Sequence, residues 1–318
     1  MNKTRKIDFA VGGQAVIEGV MMRSPGFITV AVRKNSGKIK VKDETFVGIS
    51  GRVKLFALPF VRGVANLFEM MIVGTRMLNY SANESLDQEE EEPETAAQKL
   101  LTTVSFGFSI VFALGISLFL FKFVPLWITE YLSHTFTVLT EKYILFNLVD
   151  GIIKTTFFIV YIGLLGLAPS IKRVFEYHGA EHKSIYTYEK GLELTPENAA
   201  EQSRFHPRCG TSFILIVFMI SIFIYTFVPR LETFYATFAL RVLFLPLIAG
   251  VSYEFLKWSA KYHESPIIKM LIAPGLWFQR LTTKEPSKEQ LEVALSALGK
   301  ALELEKLQKS KQKIVDVT

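Results

Sequence analysis

The chain has 318 residues, half of them hydrophobic, with 27 phenylalanines, a net charge of +6, a pI of about 9.2 and a mean hydropathy of +0.29. That balance excludes an ordinary soluble protein of this length. Its basic residues flank apolar runs and build no long tract, so the charge points to a lipid bilayer as partner and no nucleic acid is expected. Cys209 is the single cysteine, which rules out an intrachain disulfide.

Met1 to Lys6 is basic, but Gly12, Gly13, Gln14, Glu18 and Gly19 interrupt the stretch beyond it, so no cleaved signal is read. Residues 1–50 are expected to form a cytoplasmic β-rich module. Phe27 to Val32, the turn signal Asn35-Ser36-Gly37-Lys38 and Ile39 to Lys42 read as a hairpin. Gly12-Gly13 reads as a tight turn in that module. Residues 51–82 contain an apolar stretch, Leu55 to Leu78, that carries Arg62, Asn66, Glu69 and Arg76 at helical spacings. One polar stripe beside a broad apolar face describes an amphipathic helix lying in the membrane interface or packed on a bundle. Crossing would translocate the eleven basic residues before it, so it is read as non-spanning. Residues 83–99 are an acidic linker built around Asp87 to Glu94.

Four segments are apolar and long enough to span a bilayer core of about 30 Å. They run from Val104 to Val124, Ile144 to Ala168, Ser212 to Val228 and Ala236 to Leu256. The third is the shortest. The fold class expected is an α-helical membrane protein with four transmembrane helices, the small N-terminal β-module and amphipathic interfacial helices. Fourteen Lys or Arg precede the first span, six lie in the loop 169–211 and eleven follow Leu256, against one in each opposite loop, Lys142 and Arg230. The positive-inside rule therefore places both termini and the central loop in the cytoplasm. Spans 1 and 2 occupy 100–168 and spans 3 and 4 occupy 212–257. Residues 258–318 form a surface-lying apolar segment, Pro266 to Leu281, and a charged helical tail, Lys284 to Lys313.

The chemistry gathers on one side. Four of five histidines, His178, His182, His206 and His263, fall in cytoplasmic segments. His178-Gly179-Ala180-Glu181-His182 is an HxxEH pattern just after the second span. Histidines four apart on a helix point the same way and can share a metal ion, with the adjacent carboxylate as general base, which is the inverted zincin arrangement. The competing reading is a polar interfacial helix whose histidines bond to carbonyls or lipid phosphates. His206-Pro207-Arg208-Cys209-Gly210 stands before the third span and completes an H-x3-H-x23-H-x2-C set suited to zinc. Four ligands give a closed, structural site and three leave a position for water. Cys209 also fits a plain buried thiol. His263-Glu264 is a further ligand candidate, and Glu254 reads as a partner of Lys257 or Lys261. Among charges inside spans, Asp150 and Lys154 read as a neutralising pair and Arg241 as a snorkelling side chain.

Four strings together, residues 12–23, Glu176 to Lys183, His206 to Gly210 and Tyr262 to Ser265, carry a resemblance over nearly the whole chain. The sequence resembles the YqhQ-type family of multi-pass bacterial membrane proteins, a domain of unknown function whose members are labelled metal-dependent enzymes. The resemblance implies that His178, Glu181, His182, His206 and Cys209 carry the site and that Gly12 to Arg23 is a further functional loop. Two functions are weighed: a zinc-dependent membrane hydrolase with Glu181 as general base, His178 and His182 as ligands and His206 or Cys209 as the third, and a non-catalytic assembly or quality-control factor with a membrane-protein partner and a structural ion.

Overall fold

The computed structural model describes residues 11–86, 96–262 and 265–315. Near its start, β1 (Gly12–Val16), β2 (Gly19–Arg23), β3 (Phe27–Arg33) and β4 (Ile39–Thr45) form an antiparallel meander in the order β1-β2-β3-β4. Lys40 pairs with Val32 across the β3–β4 hairpin, and Gly37, at φ 81°, takes the left-handed position of its turn. The first turn falls at Glu18, φ 50°, and not at Gly12-Gly13, which lie within β1.

Strands β2 and β3 read Gly-Val-Met-Met-Arg and Phe-Ile-Thr-Val-Ala-Val-Arg, apolar on both faces, and both faces are covered. Val16, Met21, Ile28, Val30 and Val32 pack against Val73 and Met77 of a long helix, α2 (Val61–Ser85), which follows the short turns α1 (Ile49–Arg52) and Lys54–Ala57. Val20, Met22 and Ala31 face the other way, onto α7 (Pro169–Glu189) and the C-terminal helix α13 (Lys288–Val315), where Leu291, Leu298 and Ala301 are buried. Thr29 on that face donates to the carbonyl of Ala297 at 2.8 Å. The sheet and the C-terminal helix therefore share one core.

The polar stripe of α2 faces protein. Arg62 pairs with Glu254, Asn66 Nδ2 donates to Tyr253 Oη at 2.9 Å, and Glu69 accepts from Ile49 N at 2.7 Å. Glu254 thus takes Arg62 as its ion-pair partner, in place of Lys257 or Lys261. Leu67, Phe68 and Ile72 are left exposed on the opposite face. The acidic run Asp87 to Glu94 lies outside the described residues.

Among the described residues, three helical stretches are long and apolar enough to cross a membrane, Leu100–Thr135, Tyr143–Leu165 and Phe234–Ser259, which is compatible with a membrane protein. The first joins α3 (Ala96–Leu118) to α4 (Val124–Thr135) through a π turn at Phe119–Phe123. Pro125 has no N–H to give the preceding turn, and the wider π turn lets the helix run on through it. After α5 (Thr137–Glu141), α6 (Tyr143–Leu165) returns and leads into α7. The segment beyond α8 (Pro196–Ala200), α9 (Gly210–Thr226), is apolar but only 17 residues long, about 25 Å at 1.5 Å per residue. The last stretch breaks at Phe244, ahead of Pro246, into α10 (Phe234–Leu243) and α11 (Leu245–Lys261).

Helix α12 (Pro266–Thr282) does not simply lie on a surface. Ile268, Ile272 and Phe278 are buried, the last in a cluster with Phe158 and Leu215, while Ile267, Met270 and Trp277 stay exposed. Gly275 admits the close approach of α9, since a Cβ there would sit 2.8 Å from that of Ser212.

Leu298 is fully buried between α13 and the sheet. We expect Leu298→Ala to destabilise this unit by about 2–5 kcal/mol. Lowered thermal midpoint and faster proteolysis of the full chain in detergent would register the loss, and an unchanged midpoint would contradict a core shared by the two chain ends.

Candidate metal centre

Helix α7 carries Tyr177 and Ala180 into the core beneath α13, which turns His178, Glu181 and His182 toward β1 and the turn before α9. Two glycines set the spacing. A Cβ on Gly179 would lie 2.1 Å from the carbonyl oxygen of Lys284, and one on Gly13 would lie 2.7 Å from Cγ of Glu181. Both positions are close approaches that only glycine permits.

The rings of His178 and His182 lie 4.5 Å apart. Nδ1 of His178 lies 2.8 Å from the carbonyl oxygen of Thr282, and Nδ1 of His182 lies 2.5 Å from that of Arg204. A carbonyl only accepts, so each Nδ1 carries the proton. Each Nε2 is thereby turned inward. His178 Nε2 lies 3.2 Å from Sγ of Cys209, and His182 Nε2 is buried, makes no hydrogen bond among the described residues and lies 3.4 Å from Oε2 of Glu181. One ligand atom from each of His178, His182 and Cys209 falls within 4.8 Å of the other two.

Cys209 is the N-cap of α9, and its sulfur also meets Thr211 Oγ1 at 3.1 Å. Burial pushes the thiol up, but the fields of His178 and His182 and the His178 hydrogen bond outweigh it, so it sits well below the ordinary cysteine value. Burial pulls His178 down in turn, and the Cys209 charge and hydrogen bond reverse this and raise it to about 9. Each of the two therefore favours the charged form of the other.

His206 is brought near but turned to other partners. Its ring is 5.6 Å from that of His182, yet its Nδ1 accepts from Arg208 N at 3.3 Å and its Nε2 donates to Glu189 Oε2 at 3.3 Å. Burial, reinforced by His182, lowers it to about 4 and keeps it neutral. Of the four metal ligands expected, the structure gathers three. His263 and Glu264 lie outside the described residues.

A cleft of about 440 Å³ opens onto the triad and Glu181, walled by Gly12, Gly13, Arg23 and Arg208. The Gly12 to Arg23 segment is therefore one wall of the site. Arg23 Nη1 donates to the Met70 sulfur, at 2.8 Å, and its guanidinium lies 4.4 Å over Phe46. Arg208 is ion-paired to Glu189.

Gln279 belongs to none of the sequence motifs, yet it holds the Cys209 turn. It is fully buried on α12, accepts from His206 N at 2.7 Å, and donates to His206 O at 2.7 Å and Ser212 Oγ at 2.8 Å. A lone glutamine in an apolar run is the signal that could have found it, because a buried amide needs partners.

Fold and site together define a helical protein with apolar helices, a small antiparallel sheet and a His/His/Cys cluster beside an apolar helix end. The chain belongs to the family described as "Protein of unknown function (DUF1385)", whose family model matches residues 58–304. It is 36% identical over 322 residues to "Uncharacterized protein YqhQ" of Bacillus subtilis (strain 168), an alignment covering 97% of each chain. No solved structure matches it.

Gln279→Ala leaves the His206 amide unpaired, at a cost of about 1–3 kcal/mol, and leaves the His206 carbonyl with the Cys209 N–H alone, at 3.3 Å. We expect Cys209 in the chelated protein to be alkylated faster by a maleimide, read by mass spectrometry. An unchanged rate would show that the turn is held by other contacts.

Proposed function

We propose that this protein is a zinc-dependent hydrolase acting at the cytoplasmic face of a bacterial membrane, with four spans and both termini in the cytoplasm. One observation carries the reading. Two imidazoles whose Nδ1–H groups are tied to carbonyls turn their Nε2 atoms, one of them with no hydrogen bond among the described residues, toward the Cys209 sulfur. Such carbonyl contacts behind the ring are usual for histidine ligands, because they set the tautomer and the ring orientation. His178, His182 and Cys209 would hold the ion. Three protein ligands with a carboxylate alongside match an open, catalytic site better than a closed structural one.

When bound, zinc supplies Lewis-acid polarisation of water and of a scissile carbonyl or phosphoryl group. Glu181, only 4% exposed and beside His182, takes the proton of the attacking water on its carboxylate and returns it to the leaving group. Gly13 keeps the space that the Glu181 side chain occupies. Arg23, held by a thioether and an aromatic face, has donors left to orient an anionic part of the substrate. The exposed Leu67, Phe68 and Ile72 of α2, near the cleft residue Met70, suit a substrate held at the lipid surface, either a lipid or a membrane protein.

Metal analysis of the purified full chain is expected to give one zinc per molecule, lost in His178→Ala and in Cys209→Ser. Cobalt exchanged into the site should show thiolate-to-metal charge-transfer absorption that disappears in Cys209→Ser. Glu181→Gln is expected to keep the zinc and lower turnover of a membrane-lipid or peptide substrate by about 10²–10⁴-fold. A Glu181→Gln chain that keeps its zinc and fully complements a deletion strain would replace the hydrolase by an assembly factor with a structural ion.

A further inference from the structure

At the far end of α9 from Cys209, the apolar bundle holds a charge cluster that the metal centre does not use. Asp150 and Lys154 of α6 and Arg241 of α10 are all at most 5% exposed. Arg241 does not snorkel. It turns inward, donates to Asp150 at 2.6 Å, and bonds Asn147. Lys154 lies 3.5 Å from the same carboxylate. Lys122 is the third cation, with its Nζ donating to Tyr225 Oη at 2.9 Å and lying 4.7 Å over that ring. Tyr225 in turn donates to the carbonyl of Arg241 at 2.8 Å. The nearby Arg230 is matched by Glu130 and leaves the balance unchanged.

Three cations thus face one carboxylate among the described residues, and Lys122 is the one without an acidic hydrogen-bond or ion-pair partner. Charge left uncompensated among apolar helices is costly, and residues that bear it are usually functional. Two further features single out Lys122. It lies in the π turn Phe119–Phe123, a distortion found mostly at functional sites. It also ends a cavity of about 330 Å³, within the usual range of about 300–1,000 Å³ for ligand sites, whose walls are otherwise nearly all apolar. Leu118 and Leu114 continue from it at successive helical turns along about 12 Å of α3, and Leu114 is 43% exposed on the outer face of the bundle.

We propose that this cavity binds an anionic lipid, with the headgroup charge on Lys122 and an acyl chain along Leu118, Phe121 and Phe158. The excess positive charge selects the anion, and the apolar channel leading from it selects a chain. This rests on the bundle lying in a membrane but not on the metal centre.

The test uses the full chain reconstituted into phosphatidylcholine nanodiscs containing graded amounts of phosphatidylglycerol, with retained lipids counted by native mass spectrometry. We expect one phosphatidylglycerol retained with a preference of about tenfold or more over phosphatidylcholine. Lys122→Met should abolish the preference and Lys122→Arg should keep it. Ser117→Phe, which fills the cavity while leaving the cations in place, should also lose the lipid. Equal retention of the two lipids by the wild-type chain would mean that a neutral lysine resolves the charge, and would overturn the proposal. So would a preference that survives Lys122→Met, or retention of inorganic phosphate in place of lipid. Release of the wild-type chain from membranes by carbonate would overturn the bundle's membrane placement instead, while zinc content reports on the metal centre separately.

Discussion

The candidate site depends on how closely α7 is pressed from opposite sides. Its Gly179 meets the carbonyl of Lys284 in the segment that leads to α13, and its Glu181 lies against Gly13 of β1. Tyr177 and Ala180 are locked into the apolar core beneath α13. A helix held this way cannot roll, so His178 and His182 present one edge each to the Cys209 turn. The covered sheet is what makes the grip firm, because α2 on one face and α13 on the other bury both sides of β2 and β3. The two ends of the chain thus act together to position residues from its middle.

Such long-range positioning sets the limit on what is legible in the sequence. The hairpin at Asn35 to Lys38, the apolar runs and the HxxEH helix follow from local patterns, since turn residues, hydrophobicity and a spacing of four each leave a mark on neighbouring positions. Long-range pairings leave none. Nothing local distinguishes His206 from Cys209 as a third ligand. The structure separates them because Glu189 and Arg208 N occupy the imidazole nitrogens while the Cys209 sulfur faces His178. In the same way, Glu254 has lysines at helical spacing but bonds Arg62, 192 residues away. Gly12-Gly13 looks like turn punctuation, and the real use of Gly13, making room for Glu181, requires knowing which helix lies beneath β1.

The polar stripe of α2 shows the same limit on a single helix. Arg62, Asn66 and Glu69 on an otherwise apolar helix leave open whether it lies in the membrane interface or packs on a bundle, and they are engaged by Glu254, Tyr253 and Ile49. It is the apolar face, with Leu67, Phe68 and Ile72, that is left uncovered. Amphipathicity reports that two faces differ, not which one meets protein. Where lipid is the outer solvent, the inward face is the one free to be polar, because internal partners satisfy groups that hydrocarbon would not.

A contrast of charge separates the two ends of α9. At one end the Cys209 sulfur faces His178, and the carboxylate of Glu181 stands beside His182. At the other end, sixteen residues along the chain and about 24 Å away, Tyr225 is ringed by Lys122, Lys154 and Arg241 with Asp150 as their one carboxylate among the described residues. The first cluster is a set of donors suited to a cation, and the second is a set of cations suited to an anion. A short helix joins them without sharing a ligand between them. The charge of each cluster must therefore be met by its own surroundings, since a helix of this length keeps the two apart.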